Sequence, residues 1–226
     1  MSTDGGAAGP RPRRLRGDDA LWIVGLVGRA GSGKSTVAAA FRERGFPVLD
    51  ADRIGHEVTD GDPDVRRALV LEYGPGVYRA DGALDRPQVA AKVFVDPAAR
   101  ARLDALVHPR ILAILRERID ALRVAGQRGP VIVDAALLLK WGFERECDLV
   151  IAVEAPEAEL IARLAKSRGW SAAASQARLA AQPAPEVLAA AADVVLVNEG
   201  TEQALVDAAL REVAARMPAA EREGRR

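Results

Sequence analysis

The run Gly28-Arg29-Ala30-Gly31-Ser32-Gly33-Lys34-Ser35 constrains this chain more than any other stretch, because it fits G-x-x-x-x-G-K-[ST] in full. Glycines let a backbone curl until its N–H groups point to one side and form a nest for phosphate oxygens at the positive end of the next helix. In that geometry Lys34 reaches the β- and γ-phosphates of a nucleotide and Ser35 holds Mg²⁺. The context fits the pattern: the apolar run Leu21 to Val27 precedes it as a strand, and Val37, Ala38 and Phe41 follow at helical spacing. The bland alternative is a glycine-rich turn between strand and helix. With four lysines among 32 basic residues, chance seldom puts one at the motif position.

Composition narrows the classes. At 226 residues and 49% hydrophobic content, the chain can bury one sizeable core, as a single domain or a domain with a lid. Basic and acidic residues balance at 32 each, so no global positive field draws in nucleic acid and phosphate affinity must be local. The single cysteine, Cys147, cannot form an internal disulfide and reads as a small buried residue near a strand start. No signal-peptide core and no membrane-length apolar run occurs, which points to a cytoplasmic protein without a membrane partner. Residues 1–19, rich in Gly, Pro and Arg, read as a disordered leader, and 218–226 as a charged tail.

Further along, the pattern predicts alternating strands and helices. A short strand over Phe46 to Leu49 runs into Asp50-Ala51-Asp52. In parallel sheets ligands sit beyond the carboxyl ends of strands, so these acids are candidates for proton abstraction or metal contact. Either could instead cap a helix over Arg53 to Val58. Helices are expected over Pro63 to Tyr73, from Asp85-Arg86-Pro87 onward, and from Pro97 on, with His108-Pro109 interrupting or kinking the last. Taken alone, neither His56 nor His108 earns a chemical role. Val131 to Val133 runs into Asp134, an arrangement that lets a neighbouring strand hold Mg²⁺ or its water. Leu149 to Val153 and Val194 to Val197 read as strands, and Pro156 to Ser167, Ser171 to Ala181 and Thr201 to Met217 as helices. Arg163 and Arg168 fit either a lid that closes over phosphates or a solvated basic face.

In this order the motifs resemble the dephospho-coenzyme A kinase family, P-loop enzymes of the nucleoside-monophosphate-kinase type. The likeness covers roughly residues 22 to 212: the loop, Asp50 to Val58, Asp81 to Arg86, Val93-Phe94, His108-Pro109, Leu137-Leu138, the two arginines, Gln182, and Ala192-Asp193 leading to Asn198. The resemblance implies an α/β P-loop NTPase fold, a five-stranded parallel sheet with helices on both faces. The kinase domain would span 20–217, with acceptor-binding helices over about 53–120 and a lid over about 160–190. It implies transfer of the γ-phosphoryl group of ATP, with Mg²⁺, to the ribose 3′-hydroxyl of dephospho-coenzyme A by a monomer.

Catalysis would then fall to Lys34, Asp52 and Arg163. ATP would be held by Gly28, Gly31, Ser32, Gly33, Lys34, Ser35, Thr36, Arg168 and Asn198, the last with its neighbours beside the adenine. The acceptor would meet Asp50, Asp52, Arg86 and His108, and the metal Ser35 and Asp134. Arg29, Lys140 and Leu188 depart from the family pattern and bear on acceptor choice and lid closure. Two other readings stay open, a related kinase with a different small-molecule acceptor and a nucleotide-binding protein with weak catalysis.

Overall fold

The computed structural model describes residues 21–217, so the leader and the tail expected at the two ends lie outside the described residues. Among the described residues two compact units emerge: one formed by residues 21–49 together with 126–217, the other by Asp50–Ala125.

The first unit is built on a five-stranded parallel sheet in the order β2-β3-β1-β4-β5. The strands are β1 (Leu21–Gly28), β2 (Val48–Asp50), β3 (Gly129–Asp134), β4 (Leu149–Glu154) and β5 (Val194–Val197). Parallel neighbours need crossovers, and a sheet covered on both faces needs strands apolar on both faces, which is how β1 and β4 read. Every residue of those two strands is buried. On one face Trp22, Val24 and Leu26 of β1 and Ile151 and Val153 of β4 pack against Val37, Ala38 and Phe41 of α1 (Lys34–Glu43) and Leu205, Ala209 and Val213 of α9 (Glu202–Arg216). Elsewhere on β1, a Cβ on Gly25 would come within 2.9 Å of Cys147 Sγ and 3.0 Å of Leu138 Cδ1. Cys147 is therefore a buried packing residue, as its place in the sequence suggested.

Three more helices complete this unit: α6 (Glu157–Arg168), α7 (Ala172–Ala180) and α8 (Pro185–Ala191). The seven-residue α8 was not expected, because it is short and lies in a proline-rich stretch whose pattern carries no clear period. Pro185 suits its first turn and Leu188 is buried, which explains an apolar residue at that position. The second strand begins two residues later than expected, after Pro47, whose carbonyl accepts from Ile132 N–H at 2.9 Å.

The second unit is helical: α2 (Ala51–Gly61), α3 (Pro63–Tyr73), α4 (Arg86–Val95) and α5 (Pro97–Val124). Each of the four starts on an aspartate whose carboxylate accepts a first-turn N–H. Asp50 takes Arg53 N–H, Asp62 takes Asp64 and Val65, Asp85 takes Gln88, and Asp96 takes Ala98. Gly55 of α2 lets α5 approach closely, since a Cβ there would lie 3.2 Å from Ile111 Cδ1.

Of the two outcomes expected at His108-Pro109, an interruption or a kink, the interruption does not occur. Helix α5 runs 28 residues with Pro109 inside it. A mid-helix proline costs about 3 kcal/mol. Burial of Val107, Ile111, Leu115 and Ile119, spaced four apart along one stripe, offsets that cost and holds the helix together. The helix expected over Arg53 to Val58 is also longer at both ends.

Candidate active site

The loop after β1 is shaped by steric demands that only glycine meets. A Cβ on Gly28 would sit 2.4 Å from Val153 O, because β1 and β4 pair there. Gly33 has φ 103° and ψ 8°, and a Cβ on it would lie 2.6 Å from Asn198 Nδ2. Helix α1 begins at the next residue with no side-chain cap and no acid in its first turn. The first-turn N–H groups of Lys34, Ser35 and Thr36 therefore have no intrahelical partner, and the positive end of the helix dipole is uncompensated.

Four successive residues of the loop are each held by a side chain from outside it. Arg29 Nε donates to Glu154 Oε2 at 3.2 Å, and its guanidinium reaches Glu157 at 3.5 Å. Ala30 N–H donates to Gln182 Oε1 at 2.9 Å. Arg163 donates to the Gly31 carbonyl at 3.4 Å and to the Asn198 carbonyl at 3.0 Å, and also pairs with Glu159. Asn198 Nδ2 donates to the Ser32 carbonyl at 2.8 Å. Across a trans peptide the carbonyl and the following N–H point opposite ways. With Asn198 drawing the Ser32 carbonyl one way, the Gly33 N–H is aimed the other.

Lys34 forms an ion pair with Asp134. The β1–β3 register sets Asp134 opposite Leu26, and both charged groups are largely buried, at 16% and 12% exposure. Ser32 is fully buried, and its Oγ has no hydrogen-bond partner among the described residues. Burial pushes the Glu154 carboxyl above its ordinary value, with the Arg29 guanidinium opposing that rise.

Within the α/β unit, then, the structure brings Gly28, Gly31, Ser32, Gly33, Lys34, Ser35 and Thr36 together with Asp134, Arg163 and Asn198. Arg168 is exposed at the end of α6, its guanidinium 6.0 Å from the Trp170 ring centroid. The Asn198 side chain holds the loop backbone through the Ser32 carbonyl. Arg29, expected to bear on the acceptor side, instead points its charge at Glu154 and Glu157. Glu154 and Gln182 had no assigned role in the sequence reading. Their partners lie 125 and 152 residues away, and no local pattern encodes such a contact.

The other candidates lie in the helical unit. Asp50 caps α2, while Asp52 sits in the first turn of that helix. That settles which of the two acids is the cap. Arg86 donates to Thr59 Oγ1 and pairs with Asp60, both at 3.0 Å. Burial works against ionisation of Asp60, but Leu84 N–H and Arg86 outweigh it and hold the carboxyl below its ordinary value. His108 Nε2 lies 3.3 Å from Asp104, one turn earlier on α5. Among the described residues no cluster of three or more His, Cys, Asp or Glu could by itself hold a metal, and no helix is long and apolar enough to cross a membrane.

Comparison with known proteins gives a consistent result. A family model described as dephospho-CoA kinase matches residues 22–204. The dephospho-CoA kinase of Anaeromyxobacter dehalogenans (strain 2CP-C) is 40% identical over 190 residues, covering 84% of this chain and 89% of that one. The dephospho-CoA kinase of Thermobifida fusca (strain YX) is 37% identical over 191 residues, covering 84% and 93%. Among solved structures, TT1252 from Thermus thermophilus superposes with a TM-score of 0.76 at 32% identity, over 88% of this chain and 99% of that one. The dephospho-CoA kinase from Campylobacter jejuni shares the fold at a TM-score of 0.59 and 20% identity, over 87% and 98%. A model match across most of the chain, relatives near 40% identity, and an uncapped helix behind a gripped phosphate loop agree: this chain belongs to the dephospho-CoA kinase family.

Proposed function

We propose that the protein transfers the γ-phosphoryl group of ATP to the ribose 3′-hydroxyl of dephospho-coenzyme A, giving coenzyme A and ADP. The observation that carries this reading is the loop itself, with unclaimed N–H groups at the start of α1 and Lys34 and Asp134 paired at its end. The donor set suits a triphosphate: backbone N–H groups, one ammonium and the Arg163 guanidinium, all aimed from rigid elements. Ser35 and Asp134 supply hard oxygen ligands of the kind Mg²⁺ takes one or two of, the rest of its shell being water and phosphate. When bound there, Mg²⁺ would neutralise charge on the β- and γ-phosphates.

In this mechanism Lys34 leaves Asp134 for the phosphates, because a triphosphate presents more negative charge than one carboxylate. The acceptor oxygen attacks the γ-phosphorus, its proton passes to the Asp52 carboxylate, and ADP departs with the electrons of the broken P–O bond. Asp52 takes the base role, and Asp50 caps the helix through the Arg53 N–H. Lys34 and Arg163 bear the charge that spreads over the phosphoryl oxygens, with Arg168 supporting from the end of α6. Residues flanking Asn198 meet the adenine, and Arg86 and His108 shape the acceptor side. The enzyme is read as a cytoplasmic monomer.

The test is ADP formation by purified protein with ATP and Mg²⁺, with and without dephospho-coenzyme A, beside a panel of small alcohols and nucleotides. Acceleration by dephospho-coenzyme A alone is expected. Equal rates with and without it would sink the reading, and a preference for another acceptor would replace it. In the same assay Asp52→Asn should lower kcat about 10²-fold.

A further inference from the structure

The two arms of the α6–α7 hairpin hold neighbouring residues of the phosphate loop. Gln182, two residues past the end of α7, accepts from Ala30 N–H, and Arg163 of α6 donates to the Gly31 carbonyl. Packing supports both bonds. Ala30 and Trp170 lie against a cluster of Leu160 and Leu164 of α6 and Leu179 of α7. At Gly31 the backbone runs so close to α6 that a Cβ would lie 3.2 Å from Leu160 O and 3.4 Å from Leu164 Cγ. Residues 30 and 31 are thus wedged against both helices, and the hairpin cannot shift without dragging the loop or breaking these bonds.

We propose that Gln182 is a positioning residue for ATP, the joint through which the state of the α6–α7 hairpin and the arrangement of the loop's phosphate-binding amides are coupled. It touches no reacting atom; it acts through Ala30. Arg163 makes a second link, but its guanidinium also serves the phosphoryl group, whereas Gln182 does nothing at the loop except hold it. Coupling is reciprocal, so whatever fixes the loop also fixes the hairpin. The kinase assignment supplies the ligand; the proposal concerns only ATP and is read without the acceptor.

The variant is Gln182→Met, which keeps the length and packing of the side chain and removes its strong acceptor; Gln182→Asn, too short to reach, is the second. Gln182 is only half-buried, so both should fold with melting temperatures near that of the wild type. Two measurements follow. Direct titration with ATP and Mg²⁺ should show affinity weakened about 5-fold in Gln182→Met, the scale of one lost hydrogen bond.

Limited trypsinolysis at the exposed Lys166, Arg168 and Arg178 of the hairpin reads the coupling itself. ATP should slow cleavage in the wild type and lose most of that protection in Gln182→Met. A merely structural role would speed cleavage equally with and without ATP. Wild-type affinity in both variants, or ATP protection undiminished by the substitution, would overturn the proposal. Failure of wild-type protein to use dephospho-coenzyme A would count against the acceptor assignment and leave this coupling standing.

Discussion

The two units of this chain use charge in opposite ways. Around the loop, two ion pairs are buried, Arg29 with Glu154 at 7% and 10% exposure and Lys34 with Asp134 little more. In the helical unit ion pairs are more numerous but open to water, among them Arg67–Asp64, Arg102–Glu72, Arg110–Asp64 and Arg118–Glu57. Exposed pairs contribute about 0–1 kcal/mol each, because water screens the attraction and the side chains lose freedom. The helical unit must therefore be held by its apolar stripe and its four aspartate caps. The α/β unit spends its charges on fixing a shape that binds charge.

The largest effect that would break this contrast is at Lys34. Lys34→Ala should cut kcat/KM about 10³-fold, roughly 4 kcal/mol, and should also lower the melting temperature, since it leaves the largely buried Asp134 without its ammonium partner. Steady-state kinetics beside a melting curve checks it. A rate near the wild type would remove the loop from the chemistry. Next comes Leu115→Ala in α5, fully buried on the stripe of the helical unit. It should destabilise by about 3 kcal/mol in a denaturant titration, from lost transfer energy and the cavity left behind. A loss below about 1 kcal/mol would mean that the surface pairs carry more than the comparison allows.

How legible each unit was follows from the same difference. Helix caps and apolar stripes are local, so Asp85 before Arg86-Pro87, the span Pro63 to Tyr73 and the spacing around Ile111 could be read from neighbours in sequence. The loop motif was legible because its glycines, lysine and serine fall within eight consecutive residues, although the neighbours that crowd those glycines, Val153, Leu160 and Asn198, lie far off in sequence. What could not be read was the grip on the loop. Glu154, Gln182 and Asn198 reach it from more than 120 residues away, and a lone Gln or Asn carries no periodic signature. Pro109 shows the converse: as a breaking signal it lost to burial contributed by residues on either side.

The sharpest version of the comparison is one substitution made in both settings, Arg29→Met and Arg118→Met. At Arg29 the change strands Glu154 in a buried site, where Oε1 already lacks a partner, and should cost about 3 kcal/mol. The cost has a ceiling because the carboxyl can take up a proton. Burial already raises its pKa in the folded state, and losing Arg29 removes the main opposing influence. A carboxyl with a raised folded pKa favours the folded state most below its ordinary value near 4.5, and that advantage disappears as pH climbs through the folded value. Arg29→Met should therefore lose more stability at pH 8 than at pH 5, read from urea midpoints at the two pH values. At Arg118 the partner Glu57 is 39% exposed and rehydrates once the guanidinium is gone. Arg118→Met should shift stability by no more than about 0.5 kcal/mol. Equal losses at the two arginines would show that water access does not decide what a charge contributes in this chain.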